Sequence, residues 1–246
     1  MRLIISFFII YLLCVPGFAT DTKMPEPYSK SAIVTYSELP QAARENLDQE
    51  KDIYISCGAC ELCNYIEHGL LDKDYLVRRG GPQPGKINIT INSSDVKYWE
   101  FVRTLLLDEY SFQGAVHPAP GPVSDLYYKE CVYNIAMTIP GRDEPVFEQE
   151  TKTILHVQPD TAKPADIPTE EELSAELLPV ITGILGNFDL LEVMLNADKS
   201  DVRKQAVELI CEIGNPKAVD VLEKRLKNEK SRSVKNSIKK AVKKFK

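Results

Sequence analysis

The chain has 246 residues, 43% hydrophobic and 27% charged, a balance that excludes a chain without a core and leaves room for one or two. Its formal net charge of −6 is unevenly spread. Residues 217–246 hold twelve Lys/Arg against Asp220, Glu223 and Glu229, a net +9, which with Arg2 set aside leaves about −16 for residues 20–216. The two ends differ in electrostatic character, and no nucleic-acid partner is favoured.

The first element is a targeting segment. Arg2 opens it, Leu3 to Leu13 follow as an apolar run broken only by Ser6, and Pro16 and Gly17 end that run. Gly17-Phe18-Ala19 places small residues where a signal peptidase cuts, so residues 1–19 are predicted to be a cleavable signal peptide. A spanning helix needs about 20 consecutive apolar residues, and this run stops short. The mature chain is therefore expected to lack a transmembrane segment and to be periplasmic or secreted. Lipidation of Cys14 would want a small residue before it, and Leu13 stands there. Residues 20–34, with Pro25 and Pro27 among polar neighbours, read as a flexible mature N-terminus.

Residues 35–157 mix strand and helix signals and are expected to form a cysteine-containing α+β domain. Ile53-Tyr54-Ile55 is an apolar segment leading into the cysteines, and Arg79-Gly80-Gly81-Pro82-Gln83-Pro84-Gly85 is a flexible turn without the Lys-Ser/Thr of a phosphate loop. Ile87, Ile89 and Ile91 alternate with polar residues, the pattern of a half-buried strand. Ser93 or Ser94 is then expected to cap a helix running through about Leu107, with Val96, Trp99, Val102 and Leu106 on its apolar side. Tyr127, Cys131, Tyr133, Ile135, Met137 and Ile139 share one face of a strand. Pro140-Gly141-Arg142-Asp143 turns it into a partner over residues 146–157, so a hairpin is expected. Asn88 and Asn92 stand in glycosylation-acceptor triplets, expected on the polar face of the first strand and relevant if the source is eukaryotic.

The sharpest local feature is Cys57-Gly58-Ala59-Cys60-Glu61-Leu62-Cys63. With Cys131 it gives four cysteines in a domain expected outside the reducing cytoplasm, so structural disulfides are the leading reading. A bridge over the long interval from Cys63 to Cys131 would stabilise by a few kcal/mol. Four cysteines allow three connectivities, and sequence does not choose among them. Metal is the second reading, because two Cys-x-x-Cys steps plus His68 supply the ligand types of tetrahedral zinc. The spacing matches no standard site: Lys73 replaces the last Cys of a zinc knuckle, Asn64 replaces the His of a haem-attachment motif, and Cys131 is too distant for a ferredoxin-like cluster. Redox chemistry is the third, since Cys57 and Cys60 have dithiol spacing and a helix starting there would lower the first thiol's pKa. No cofactor is favoured, zinc being the one such a set would take. No catalytic residue is assigned, because His68, His117 and His156 lack Ser or Asp neighbours in a nucleophilic pattern.

Residues 158–168 carry three prolines and almost nothing apolar, the composition of a linker. Beyond it, residues 169–246 read as helices throughout. Thr169 and Glu172 form a capping box, and Leu173, Leu177, Leu178, Ile181 and Leu185 follow at helical spacing. Gly186-Asn187 and Gly214-Asn215 each end one helix and cap the next, with Pro216 at a first helical position. Laying residues 201–214 over 233–246 aligns Val202 with Val234, Ala206 with Ile238, Leu209 with Ala241 and Ile213 with Phe245. That period points to a helical solenoid. Asp201-Val202-Arg203, the apolar pair and Ile213-Gly214, followed by Asn215-Pro216-Lys217-Ala218-Val219-Asp220-Val221-Leu222, resemble HEAT repeats of the phycobilisome-lyase type. The resemblance is strongest over residues 199–227 and implies an all-α HEAT-like solenoid that binds a protein partner. Cys211 stands where the family has a small Gly or Ala and reads as a buried small hydrophobe. On the last helix Lys235, Lys239, Lys240, Lys243 and Lys244 form a basic face, either a solvated cap or a patch for an anionic partner. The expected activity is a non-catalytic interaction or scaffold role, with a thiol-disulfide oxidoreductase or metal-binding protein as the alternative.

Overall fold

The computed structural model describes residues 29–58, 60–103, 123–157 and 167–245. The predicted signal peptide 1–19, residues 20–28, residues 158–166 of the predicted linker, and His117 lie outside the described residues.

The architecture is α+β. Strands β1 (Ser29–Ile33), β2 (Asp52–Cys57), β3 (Leu76–Arg79), β4 (Ile87–Arg103), β5 (Val123–Thr138) and β6 (Phe147–Val157) form one mixed sheet in the order β1-β6-β5-β4-β2-β3. β2 runs parallel to β3 and β4, and the other neighbours are antiparallel. Ile53, Ile55, Ile87, Ile89, Ile91, Ile135 and Met137 stand in register on one face, where all are buried. The two-residue period of the sequence produces that face directly. The expected β5–β6 hairpin forms, with Gly141 at φ +81 in its turn.

Helix α1 is Gln41–Gln49, and α2 (Glu61–Leu71) crosses from β2 to the parallel β3. Its buried stripe of Leu62, Cys63, Ile66 and Leu70 belongs to the same core as the sheet. The C-terminal helices are α3 (Glu170–Ile184), α4 (Asp189–Leu195), α5 (Ser200–Ile213), α6 (Val219–Asn228) and α7 (Arg232–Phe245). α3 packs on α2 and β6. The approach is close because Gly69 has no side chain, and a Cβ there would come within 2.3 Å of Leu178 Cδ1. Thr153 Oγ1 donates to Pro168 O at 2.7 Å, which fixes the chain just ahead of α3 to β6. Buried apolar residues of the sheet, α2 and the C-terminal helices form one contiguous core.

The local signals of the helical part are realised. Thr169 Oγ1 accepts from Glu172 N at 3.2 Å while Glu172 Oε2 accepts from Thr169 N at 2.8 Å. Gly186 (φ +83) and Gly214 (φ +69) end α3 and α5 in left-handed geometry, and Asn187 and Asn215 accept from Asp189 N and Lys217 N. α3, α5 and α7 lie side by side, with α4 and α6 packed across α5 and α7. α5 and α7 begin and end thirty-two residues apart. Among the described residues no single helix is long and apolar enough to cross a membrane.

Three expectations are corrected. The helix expected from Ser93 or Ser94 to about Leu107 is strand as far as Arg103, with Leu106 and Leu107 outside the described residues. Val96, Tyr98, Trp99, Phe101 and Val102 are β-branched or aromatic, and pairing with residues 123–133 of β5 satisfies the backbone that the Ser cap would have served. Residues 29–33 are not a flexible N-terminus but β1, paired with β6 from Ser29 opposite Thr151 to Ile33 opposite Phe147. Asn88 is buried, its side chain bonded to Gln83 N and O, Lys86 O and Thr138 Oγ1, so it is not a surface glycosylation acceptor, whereas Asn92 is exposed.

Candidate functional site

β2 ends on Cys57, and four residues later α2 begins. Cys60 is the residue capping that helix; its backbone is extended (φ −139, ψ 150) and its thiol makes no capping bond. Cys63 is the third residue of α2 and is bonded to Cys57, with 6.4 Å between the Cα atoms. Of the four cysteines this bridge joins Cys57 and Cys63, and Cys60 stands outside it. The bridge is local for a geometric reason: Cys57 ends a core strand beside Ile91, and the first turn of α2 brings Cys63 back over it. Cys63 is 0% exposed, whereas Cys57 and Cys60 are partly exposed and Gly58 faces open space.

Beneath the bridge sits a polar cluster that sequence reading missed. Glu170, the first residue of α3 and only 5% exposed, accepts two bonds on Oε1, from Leu62 N at 3.1 Å and from the Tyr133 hydroxyl at 2.7 Å. A carboxylate from the helical part therefore serves a free N–H at the start of α2, where the helix dipole favours negative charge. Burial first, and then the bond to Glu170, push the Tyr133 phenol far above its ordinary value, and Cys60 and Cys131 lie near enough to add to the push. Cys131 is buried on the same face of β5, its Sγ donating to Val132 O at 3.6 Å. Glu170 carried no distinguishing local signal, because it stands in a run of three glutamates that reads as an ordinary first turn.

Among the described residues, no group of three His, Cys, Asp or Glu is placed to hold a metal ion. His68 is exposed in the last turn of α2, about 140° around the helix from Cys63, and two of the four sulfurs are bonded to each other. His156 belongs to β6.

A second feature is the layer of α4 and α6. Lys224 Nζ meets Glu192 Oε1 at 2.6 Å and Arg225 Nη1 donates to Asn196 Oδ1 at 3.2 Å, bracing the two helices along a cleft of about 190 Å³. Val193, 69% exposed, lines a separate open hollow with Asp189, Glu192 and Asn196. Behind this layer Arg203 and Glu229 form a buried bidentate pair, both contacts 2.9 Å, and Arg203 Nη1 also donates to Ala197 O and Asp198 O. Glu229 further accepts from Arg225, Lys230 N and Ser231 N.

On α7 the lysines lie opposite the buried stripe of Val234, Ile238 and Ala241. Lys239, Lys240 and Lys243 are exposed and Lys235 is partly so. Lys244 is set apart from them, donating to Cys211 O at 3.1 Å and lining a cleft with Thr35, Arg44 and Phe245. Cys211 is half-buried, which raises its thiol, and Lys244 pulls partly the other way.

A scan of protein-family models finds no match to the chain, and neither does a search of curated proteins.

Proposed function

We propose that the protein is an exported protein-binding module in which α3 to α7 form HEAT-like repeats and the surface of α4 and α6 receives the partner. The observation that carries this reading is Val193, a large apolar side chain 69% exposed in an open hollow with Asp189, Glu192 and Asn196, two of which, Glu192 and Asn196, also line the braced cleft between α4 and α6. We read it as the apolar anchor of an interface whose rim is polar. The common helix boundaries of α5 and α7, with Ala206 and Ile238 both buried at equivalent positions, support the repeat. Export follows from the signal-like residues 1–19. The lysines of α7 favour a second contact with an anionic surface, because three of them are exposed on the side opposite the buried stripe.

Site-specific photo-crosslinking in the source cells tests the main reading. A photoreactive residue at Val193 or Asn196 should give one discrete adduct, and the same residue at Asp72 or Glu148 should not. Equal labelling at all four positions, or none at Val193, overturns it. For the basic face, K239E/K240E/K243E should elute earlier from an anionic resin and lose the salt dependence of its retention; unchanged retention removes the second contact.

A further inference from the structure

The Cys57–Cys63 bridge encloses an odd cysteine. Cys60 lies three residues from each partner, and the two Cα atoms it sits between are 6.4 Å apart, so the three sulfurs share one short loop. The bridge is not sealed into the core: Cys57 is partly exposed, Cys60 is partly exposed with no capping bond, and the space about Gly58 is open. A purely structural staple needs neither an adjoining thiol nor access from solvent.

We propose that Cys57, Cys60 and Cys63 form a thiol-disulfide exchange centre that takes an incoming thiol at Cys57 and expels it with Cys60. The incoming thiolate attacks the Cys57 sulfur, the accessible half of the bridge. The bond to Cys63 breaks, and its electron pair leaves with Cys63 as a thiolate. That thiolate stands in the first turn of the eleven-residue α2, beside the Glu170 carboxylate already bonded to Leu62 N, so it is held only until it is protonated. Cys60 gives its proton to solvent and attacks the Cys57 sulfur of the mixed disulfide, releasing the incoming thiol and leaving a Cys57–Cys60 bridge, while Cys63 takes up a proton. No external oxidant is consumed: one disulfide is present before and after, and it has moved. The incoming thiol leaves unchanged and acts as the trigger of the migration; its class is either a small thiol or a cysteine of a protein.

The movement has a structural readout. Cys63 is released from β2 and the cross-linked loop shortens, in the same helical turn where Leu62 N is bonded to Glu170 of α3. The bridge position is therefore coupled to the contact between sheet and helical parts. This inference does not rest on the surface of α4 and α6 having a partner.

The test uses the intact oxidised chain, its Cys60→Ser variant, and two probes: glutathione and a reduced cysteine-containing peptide of ten residues. After incubation and acid quenching, remaining thiols are alkylated and the peptides mapped without reduction. In the parent chain, label should appear on Cys63 as well as Cys60, and a Cys57–Cys60 bridge should be found. In Cys60→Ser the mixed disulfide at Cys57 should stand at least about twofold above the parent, because Cys60 no longer draws it forward and Cys63 can only re-form the starting bridge. Accumulation with glutathione only identifies a small thiol as the trigger, and accumulation with the peptide identifies a protein thiol. Label confined to Cys60 in the parent chain, or equal mixed disulfide in both chains, overturns the proposal. Circular dichroism and unchanged labelling of Cys131 and Cys211 show whether Cys60→Ser remains folded; if it does not, the migrated bridge in the parent chain alone decides.

Discussion

The helical and sheet parts are held by polar interiors of opposite kinds. Behind α4 and α6, Arg203 and Glu229 carry full charges with every oxygen of the carboxylate occupied. At the end of β2 the interior is a disulfide, beside a phenol and a backbone N–H that both donate to one oxygen of Glu170. A buried ion pair stabilises only while both members are present, since removing one strands the other in a poor solvent. A cluster of mostly neutral groups loses its members one at a time and cheaply.

The sharpest way to break this contrast is Arg203→Ala. It leaves Glu229 buried with Arg225 as its one charged partner, beside the N–H groups of Lys230 and Ser231, and strips two carbonyls of their donor, so urea unfolding should show a loss of about 3–5 kcal/mol. A loss below about 1 kcal/mol would mean that the pair is peripheral to stability.

Acid should expose the same asymmetry. Burial raises the Glu229 carboxyl, but the bonds from Arg203, Ser231 N and Arg225 more than reverse this and hold it at about 2, below the ordinary 4.5. Because the folded value is the lower one, the contribution is complete above about pH 5 and is lost as pH falls toward 2, on the order of 3 kcal/mol. Comparing the parent chain with the double variant Arg203→Met, Glu229→Leu at pH 7, 4 and 2.5 checks this. The variant's stability should fall less, and parallel curves would reject the assignment.

The sheet part should respond more mildly. Cutting the bridge by Cys63→Ser removes a cross-link over a very short loop, worth about 2 kcal/mol, and the midpoint of urea unfolding should fall accordingly. Tyr133→Phe should cost still less, about 1 kcal/mol, because Glu170 keeps its bond from Leu62 N. A larger loss from Tyr133→Phe than from Arg203→Ala would invert the comparison.

The same division governs what could be read from sequence. The capping box at Thr169, the glycine ends at Gly186 and Gly214 and the isoleucine alternation of β4 are encoded within a few residues of where they act, so they were legible. Ser93 and Ser94 also offered a local signal, and it misled. Strand pairing with residues 123–133 overrode it, and pairing partners cannot be inferred from a single segment. The cysteines were visible as a cluster, but the choice of Cys57 with Cys63 depends on where β2 ends and α2 turns. Glu170 and Tyr133 were invisible as partners because thirty-seven residues of chain separate them and nothing local marks either.

The bond from Leu62 N to Glu170 sets an order of events as the chain is made. Its two ends are 108 residues apart, whereas the sulfurs it lies beside are six residues apart. The bridge can close as soon as residue 63 is accessible to an oxidant, long before Glu170 has been synthesised. Where an oxidant meets the chain during its synthesis, the start of α2 is cross-linked first and capped last, with Glu170 made 107 residues after Cys63.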